Sequence, residues 1–193
     1  MARTREFDTT AAVEAAMAAF RRTGYEGTSI QDLVEATGLG RGSIYGAFGS
    51  KEGLYLAALD LYRERFARPL VELLQEGAPA RELIREVLVG AVDEIVRDGS
   101  RHACLIVGAA TERAHLDLDV RDRLRDTARS LEAAFFEVIV RAQESGELPG
   151  RRGAADLARF LVTSLQGLRV MGAIEPDRAA LTASAEVALA ALD

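Results

Sequence analysis

Apolar side chains recur at intervals of three and four residues along most of the chain, and no stretch alternates regularly between apolar and polar residues. This spacing puts apolar side chains on one face of successive α-helices and is not typical of half-buried strands. The chain has 34 alanines among 193 residues, which also favours helices over a β-sandwich. The sequence therefore predicts an all-α fold of about nine helices.

Composition limits the class of protein further. The charged fraction of 28% and the hydrophobic fraction of 49% argue against intrinsic disorder. The longest uninterrupted apolar run, residues 103–110, is short of the roughly 20 residues of a membrane-spanning helix, and the first residues resemble no secretory signal. A single cysteine, Cys104, forms no internal disulfide, and neither His102 nor His115 has partners at metal-ligand spacing. We expect a soluble, cytoplasmic protein with no metal, no cofactor and no membrane partner.

The charge is distributed unevenly along the chain. Residues 1–51 carry six basic and six acidic groups, so the remainder holds the entire net charge of −6. A locally neutral segment with basic groups at its edges can bind phosphate, while an acidic remainder opposes nonspecific binding to polyanions. The composition therefore permits a DNA-binding role for the N-terminal quarter of the chain.

Glycine and proline divide the chain into short helices followed by longer ones. Eight of the 17 glycines fall between Gly24 and Gly53, and the first proline is Pro69. The predicted helices cover residues 8–23, 28–38, 41–48, 51–68, a segment beyond Pro79 with Leu83, Val87, Ala91 and Ile95 on one face, and about 103–113, 120–145, 154–172 and 177–192. Thr28 and Gln31 have the spacing of a capping box. Helix 51–68 is apolar on two sides and is expected to connect a DNA-binding domain (5–53) to a second domain (69–193).

Residues 28–48 fit a helix-turn-helix, in which two short helices are joined by a glycine-containing turn. Gly38, Gly40 and Gly42 are expected to let the two helices cross closely. Arg41, Ser43 and Tyr45 supply hydrogen-bond donors at the start of the second helix. Many helical hairpins share this spacing, so a helical carrier or an enzyme without a DNA role remains an alternative here. The chain shows no catalytic set of residues, and we expect that it is not an enzyme.

The amino-acid motifs in this segment are more specific than the spacing of its helices and glycines. It contains Phe-x-x-x-Gly-Tyr at 20–25, Thr-Ser-Ile at 28–30, Gly-Leu-Gly-Arg-Gly-Ser-Ile-Tyr at 38–45 and Phe-Gly-Ser-Lys-Glu-Gly-Leu at 48–54. These blocks, in this order, resemble the N-terminal domain of the tetracycline-repressor (TetR) family. The resemblance implies a dimeric transcriptional regulator, normally a repressor, which binds a palindromic DNA operator and is released by a small molecule. An activator is the alternative.

The resemblance also implies which residues contact DNA. These residues are Thr28 and Ser29 (phosphate), Arg41 (guanine or phosphate), Gly42, Ser43 (base or backbone), Tyr45 (phosphate) and Lys51 (phosphate). The chain departs from the family pattern at Gly46 and Ala47, because relatives often carry His or Tyr before the phenylalanine. Two contacts to base edges or backbone are therefore expected to be missing. Arg3 and Arg5 form either a basic arm or a disordered terminus.

The second domain has the length that the family resemblance requires. In the family, the helices after the connector enclose a small-molecule pocket, and the last two helices form a dimeric four-helix bundle. The candidate pocket residues are Tyr62, Phe66, Cys104, Phe135 and Phe136, and we expect a small apolar effector. The candidate dimer residues are Leu157, Phe160, Leu161, Ser164, Leu168 and Met171. The alternative is that this last face packs inside its own chain.

Cys104 has two interpretations. It is either a buried structural thiol or a sensor of electrophiles or oxidants. Some redox-sensing relatives place a lysine beside the cysteine. The only lysine of this chain, Lys51, belongs to the DNA-binding segment, so the sequence offers no such partner.

Overall fold

The computed structural model describes residues 8–99 and 104–193. Arg3, Arg5 and His102 lie outside this part of the chain. The described residues form nine helices and no strand, as predicted. The helices are α1 (Thr9–Thr23), α2 (Ile30–Thr37), α3 (Arg41–Phe48), α4 (Lys51–Tyr62, a π-helical turn Arg63–Ala67, then Arg68–Leu74), α5 (Ala80–Asp98), α6 (Leu105–Glu112), α7 (Leu118–Glu144), α8 (Ala154–Ile174) and α9 (Arg178–Ala190).

The start of α2 lies one residue later than the capping-box prediction. Ser29, not Thr28, is the N-cap: its hydroxyl accepts the Asp32 N–H, and the Asp32 carboxylate accepts the Ser29 N–H. Thr28 is buried and donates its hydroxyl to the Gly24 carbonyl. The prediction of a Thr28–Gln31 box is therefore wrong, because the Thr28 side chain is already bonded to the end of α1.

Helix α4 continues past Pro69, where the sequence predicted its end. The proline ring would collide with the carbonyl four residues earlier in a regular α-helix. Here the π-helical turn lies immediately upstream, and the Arg68 N–H bonds to the Arg63 carbonyl five residues back. A π turn is a known way to accommodate such a break within a helix. The helix therefore reaches Leu74 before the chain turns toward α5.

Two apolar clusters hold the chain together. The first contains residues from α1 to α4, such as Phe20, Leu33 and Ile44, and also Leu105 and Val120 from α6 and α7. The second contains α5, most of α7, α8 and α9. Helix α6 thus packs with the N-terminal cluster although it follows residue 69. The domain limits inferred from the sequence stay a prediction, and the packing places α6 at the boundary.

Helix α8 lies between α5, α7 and α9. By length and composition alone, it is apolar enough to span a membrane. Its fully buried Leu161 and Leu165 belong to the C-terminal core, and a core helix of a globular protein has this same composition.

Candidate DNA-binding surface and effector cavity

Helix α3 is anchored by one buried side chain. Ile44 is fully buried and Phe48 is half-buried, whereas the other six residues of the helix are exposed. Arg41, Gly42 and Ser43 lie in its exposed first turn, and the Tyr45 side chain is 47% exposed. No described side chain caps the start of α3 at Gly40, so its first amides can bind an anion. The arrangement supplies the hydrogen-bond donors that the sequence predicts.

The glycines of the turn do not serve close helix crossing. A Cβ atom added at Gly38, Gly40 or Gly42 would meet no atom within 4 Å, so that part of the prediction is wrong. Gly38 ends α2 with a φ of 68°, a left-handed conformation that favours glycine. A Cβ at Gly42 or at Gly46, one turn further along α3, would also enter open space. The two glycines leave room beside the helix for a closely approaching partner.

Thr28 and Ser29 have different environments. The Thr28 hydroxyl lies 2.6 Å from the Gly24 carbonyl oxygen and 2.7 Å from the Thr23 hydroxyl, and the residue is fully buried. This is at odds with the expectation that the Thr28 side chain binds phosphate. Ser29 is exposed, and its O–H remains available as a donor while its oxygen caps α2. Hydrogen bonds from the Ser29 side chain and amide lower the pKa of Asp32.

Lys51 lies in the first turn of α4, with its ammonium nitrogen 4.2 Å from the centre of the Tyr25 ring. Burial lowers the pKa of this lysine. The Arg113 guanidinium lies 4.3 Å from the centre of the same ring. Tyr25 therefore links the start of α4 to the segment that follows α6, a role that sequence reasoning missed.

The end of α6 binds the loop between α1 and α2. The Glu112 carboxylate accepts the Tyr25 N–H at 2.7 Å and the Glu26 N–H at 3.3 Å. A Cβ added at Gly24 would lie 2.1 Å from a Glu112 oxygen, so this contact requires glycine there. The loop that leads to Ser29 is thus held directly by α6.

Ion pairs reinforce this junction. Arg113 lies 3.1 Å from Asp117, 3.5 Å from Glu52 and 3.7 Å from Glu26. Asp117 also accepts the Asp119 and Val120 amides and so caps α7. The same carboxylate therefore stabilises a helix start and the contact between the two halves of the chain.

Three of the five predicted pocket residues meet around one cavity. Tyr62, Phe66 and Cys104 line it, together with Ala67, Leu70, Ile106, Thr127, Leu131, Leu165, Gln166 and Arg169. Its volume of about 20 Å³ is enough for a single water molecule. The prediction was wrong for the other two residues. Phe135 is fully buried in the C-terminal core, and Phe136 is exposed in a separate surface groove.

Arg169 is a cavity residue that sequence reasoning missed. It is only 9% exposed, and its guanidinium donates to the Cys104 sulfur at 3.3 Å and to the Tyr62 hydroxyl at 3.2 Å. Its counter-charge is Glu94 at 3.6 Å. Burial raises the pKa of Tyr62, so this hydroxyl stays protonated and acts as a donor to the sulfur. The signal was available, because Arg169 follows the buried Leu165 by four residues on the apolar face of α8.

The DNA-binding segment contacts two residues of the cavity wall, Tyr62 and Phe66, through Arg21 near the end of α1. Arg21 and Cys104 line a second small opening, together with Tyr62 and Arg169. The Arg21 guanidinium lies 2.9 Å from Asp98 of α5 and over the rings of Tyr62 and Phe66, 5.5 and 5.2 Å from their centres. A change in the cavity therefore directly changes the surroundings of α1.

The residues predicted to form the dimer interface fall into a buried group and an exposed group. Leu157 and Leu161 are buried in the core of their own chain, so their prediction as interface residues was wrong. Leu168 is also buried in that core but lines the outward groove on α8 and α9. Phe160 and Met171 are 44% and 56% exposed. With Ser164, Gly167 and parts of α9 they line an open apolar groove. The outward face of α8 is thus narrower than predicted and is extended by α9.

An exposed helix held in a helix-turn-helix, joined to a separate helical domain, defines a DNA-binding transcriptional regulator. Residues 12–58 match the family described as "Bacterial regulatory proteins, tetR family", and residues 80–188 match "Tetracyclin repressor-like, C-terminal domain". The chain belongs to the TetR family. The relatives it matches are transcriptional regulators, which confirms that it is not an enzyme.

Similar proteins match this chain over most or all of its length. The chain is 33% identical to the "Uncharacterized HTH-type transcriptional regulator YezE" of Bacillus subtilis, covering 100% of both chains. It is 30% identical to the "HTH-type transcriptional repressor ComR" of Escherichia coli, over 87% of this chain and 80% of that one. A structure of a cysteine mutant of the TetR family regulator CifR with 26-base-pair operator DNA is 35% identical, with a TM-score of 0.88 over 99% of this chain and 100% of that chain.

Proposed function

We propose that this regulator is a homodimeric repressor that binds a palindromic operator and leaves it when a small apolar molecule enters the cavity around Tyr62. The observation that carries the proposal is the exposed surface of α3, where only Ile44 is fully buried. Relatives named as repressors support repression rather than activation. A repressor acts where its operator DNA lies, so we infer a cytoplasmic protein.

The DNA contacts are assigned to the exposed part of the predicted set. Arg41 lies at the start of α3, where a guanidinium can donate to the O6 and N7 atoms of guanine. Ser43 and Tyr45 supply hydroxyl donors on the same helix, and Gly42 lets the DNA backbone approach. Ser29 and Lys51, at the starts of α2 and α4, bind phosphate groups on either side.

Dimerisation is assigned to the apolar groove on α8 and α9. Phe160, Met171 and Val187 are large apolar side chains exposed there. Burying such a patch is favourable at about 25 cal/mol per Å² of apolar surface. A two-fold dimer presents two copies of α3, which must be about 34 Å apart to enter successive major-groove faces.

The release step follows from the size and position of the cavity. With room for one water molecule, the cavity must expand when an effector enters. The effector therefore binds better to an arrangement with displaced walls and shifts the population toward it. Arg21 and Glu112 connect those walls to α1 and to the loop before α2. Movement of these segments changes the spacing of the two α3 helices and lowers operator affinity.

Selection of bound sites from a random DNA pool at moderate salt tests the DNA-binding part. We expect enrichment of a two-fold palindrome whose half-sites lie about one helical turn apart. Enrichment of a single half-site would contradict binding as a dimer. Weak, salt-sensitive binding without enrichment would contradict sequence-specific recognition.

The dimer interface is tested with Met171→Asp, which puts a charge into the groove on α8. We expect this variant to sediment as a monomer and to lose cooperative operator binding. Leu116→Asp is the matched control, because Leu116 is 66% exposed but lies between α6 and α7. If both variants remain dimeric, the groove on α8 and α9 is not the interface.

A further inference from the structure

Two polar atoms in the wall of the cavity around Tyr62 have no hydrogen-bond partner. Across the described residues, three buried side-chain nitrogen or oxygen atoms lack a partner, and two of the three are Nε of Arg169 and Oε1 of Gln166. Both residues line this cavity, and the Arg169 side chain is more than nine-tenths buried. They are three residues apart on α8, so their side chains lie on the same face of the helix. Buried polar groups without partners are uncommon and cost free energy, so this pair indicates a binding position for a polar group.

The charge of Arg169 is already balanced. Its Nη1 atom donates to the Tyr62 hydroxyl and to the Cys104 sulfur, and its Nη2 atom lies 3.6 Å from the Glu94 carboxylate. An anion in the cavity would gain little from this neutral cluster, and burying a second negative charge near Glu94 is costly. One N–H donor at Nε and one acceptor at Gln166 remain. An uncharged group that accepts one hydrogen bond and donates one fits this pair, and a hydroxyl is the smallest such group.

The rest of the cavity wall is apolar and closely packed. Phe66, Leu131 and Leu165 contribute to it, and the volume of about 20 Å³ is enough for a hydroxyl group but not for a hydrocarbon chain. A groove of about 220 Å³ adjoins the cavity, because Ala67 of the π-helical turn and Thr127 of α7 line both. Such π turns are frequent at functional sites. The chain of an effector therefore has a path from the cavity into the groove.

We propose that the effector is an uncharged alcohol with an unbranched apolar chain. Its hydroxyl accepts the Arg169 Nε–H and donates to Oε1 of Gln166, and its chain passes between Ala67 and Thr127 into the groove. This inference rests on the proposed function, since it names the chemistry of the molecule that releases the repressor.

The chain of the alcohol acts on the DNA-binding segment through two aromatic rings. Phe66 belongs to the π-helical turn and stacks on Tyr62, with 4.6 Å between the ring centres. A chain between Ala67 and Thr127 displaces this turn, and Arg21 of α1 lies over both rings. Binding of the alcohol is therefore expected to move α1 and to lower operator affinity.

The first test compares hexan-1-ol, its isomer 1-methoxypentane and hexanoate. The ether has the same atoms as the alcohol but no O–H to donate, and hexanoate carries a charge. Calorimetric titration of the protein without DNA measures the affinities. We expect one hexan-1-ol per chain, about tenfold weaker binding of the ether because Gln166 then stays unpaired, and no measurable binding of hexanoate. Equal affinity for the ether, tighter binding of hexanoate, or no binding of the alcohol would overturn the proposal.

The position of the hydroxyl is tested with Gln166→Leu, which removes the acceptor. We expect the tenfold preference for hexan-1-ol over the ether to fall to about one. Gln75→Leu is the matched control, because Gln75 is exposed and outside the cavity wall, and it should keep the preference. The ratio compares two ligands on the same folded variant, so a change in stability alone does not alter it. A full preference in Gln166→Leu would show that the hydroxyl is not bound at Gln166.

The path of the chain is tested with a series from butan-1-ol to octan-1-ol. In the parent protein we expect the affinity to rise about fourfold for each methylene that is buried. Ala67→Leu narrows the passage between cavity and groove, so the rise should stop after the shortest alcohols. An unchanged rise in this variant would overturn the assigned path.

Operator binding separates this inference from the proposed function. We expect saturating hexan-1-ol to lower operator affinity about tenfold, with 1-methoxypentane at the same concentration as the control for nonspecific solvent effects. Alcohol binding that leaves operator affinity unchanged would overturn the alcohol's role as effector. A protein that binds hexan-1-ol as described but binds no operator contradicts the proposed function. A protein that leaves its operator in response to other compounds but binds no alcohol contradicts only this inference.

Discussion

Helices α3 and α8 differ in how much of their surface packs against the rest of the chain. Helix α3 has eight residues, and nearly all of its polar side chains face solvent with few partners in their own chain. Helix α8 has 21 residues and packs against α5, α7 and α9. The role of each of its buried residues is therefore set by the helix that the residue faces. The comparison shows that a DNA-binding surface is recognised by exposed polar side chains with few contacts inside the chain. A candidate effector cavity is recognised by side chains from several helices that meet around it.

Replacing Ile44 by alanine gives the largest effect that we expect on α3. Ile44 is the one fully buried side chain of this helix, and truncating such a residue costs about 2–5 kcal/mol of unfolding free energy. Chemical denaturation measures the loss. Ser43→Ala, at the exposed neighbouring position, should change the stability by less than about 0.5 kcal/mol. Equal losses in the two variants would mean that α3 is not anchored as described.

Arg41→Ala tests whether the exposed start of α3 reads a base pair of the operator. We expect a loss of about 1–3 kcal/mol in binding to the selected operator, and a weaker preference at the base pair that Arg41 reads. Operator variants at each position, measured by fluorescence anisotropy, locate that base pair. An unchanged sequence preference would limit Arg41 to phosphate contact.

Asp117→Asn tests the junction between the two regions. Burial acts to raise the pKa of Asp117, but hydrogen bonds with Glu52, the Val120 amide and Arg113 outweigh it and hold the pKa below the ordinary aspartate value. The charged form therefore stabilises the fold at neutral pH, by about 1 kcal/mol relative to asparagine.

This contribution is lost as the pH falls from the ordinary aspartate range through the lower pKa of the folded state. The difference in unfolding free energy between the parent protein and Asp117→Asn should be full at neutral pH and disappear in acid. Urea titrations at several pH values measure it. A difference that does not depend on pH would show that the carboxylate charge is unimportant.

Lys51→Ala should have the smallest effect. We expect weaker binding to all DNA sequences alike and a decrease of about one in the slope of log affinity against log salt. Arg125→Ala, at an exposed position on α7, is the control and should leave the slope unchanged. If Lys51→Ala also leaves the slope unchanged, the ammonium group stacks on Tyr25 without reaching phosphate.

The sequence identifies which residues of α3 are buried and which are exposed, but it does not do so for α8. The reason is physical. The spacing around Ile44 identifies one apolar side, and the family motif identifies the exposed residues. On α8, apolar side chains such as Leu161 and Phe160 occupy neighbouring sides of the helix, and their spacing does not tell which side faces the own chain. The Arg169–Cys104 pair depends on how α8 packs near α6, so no local pattern contains it. At Thr28 and Ser29, two adjacent hydroxyl residues made either one a reasonable cap.

The position of Arg21 over the cavity has a thermodynamic consequence. Arg21 of the DNA-binding segment lies over the rings of Tyr62 and Phe66, which line the proposed effector cavity. If an effector in that cavity changes operator affinity, then the operator changes effector affinity by the same factor. A non-covalent effector that weakens operator binding therefore binds less well to protein already on DNA. Operator-bound molecules would bind the effector more weakly, and free dimers in the cell would bind it at lower concentrations. The number of free dimers relative to operators would then set the concentration at which transcription begins.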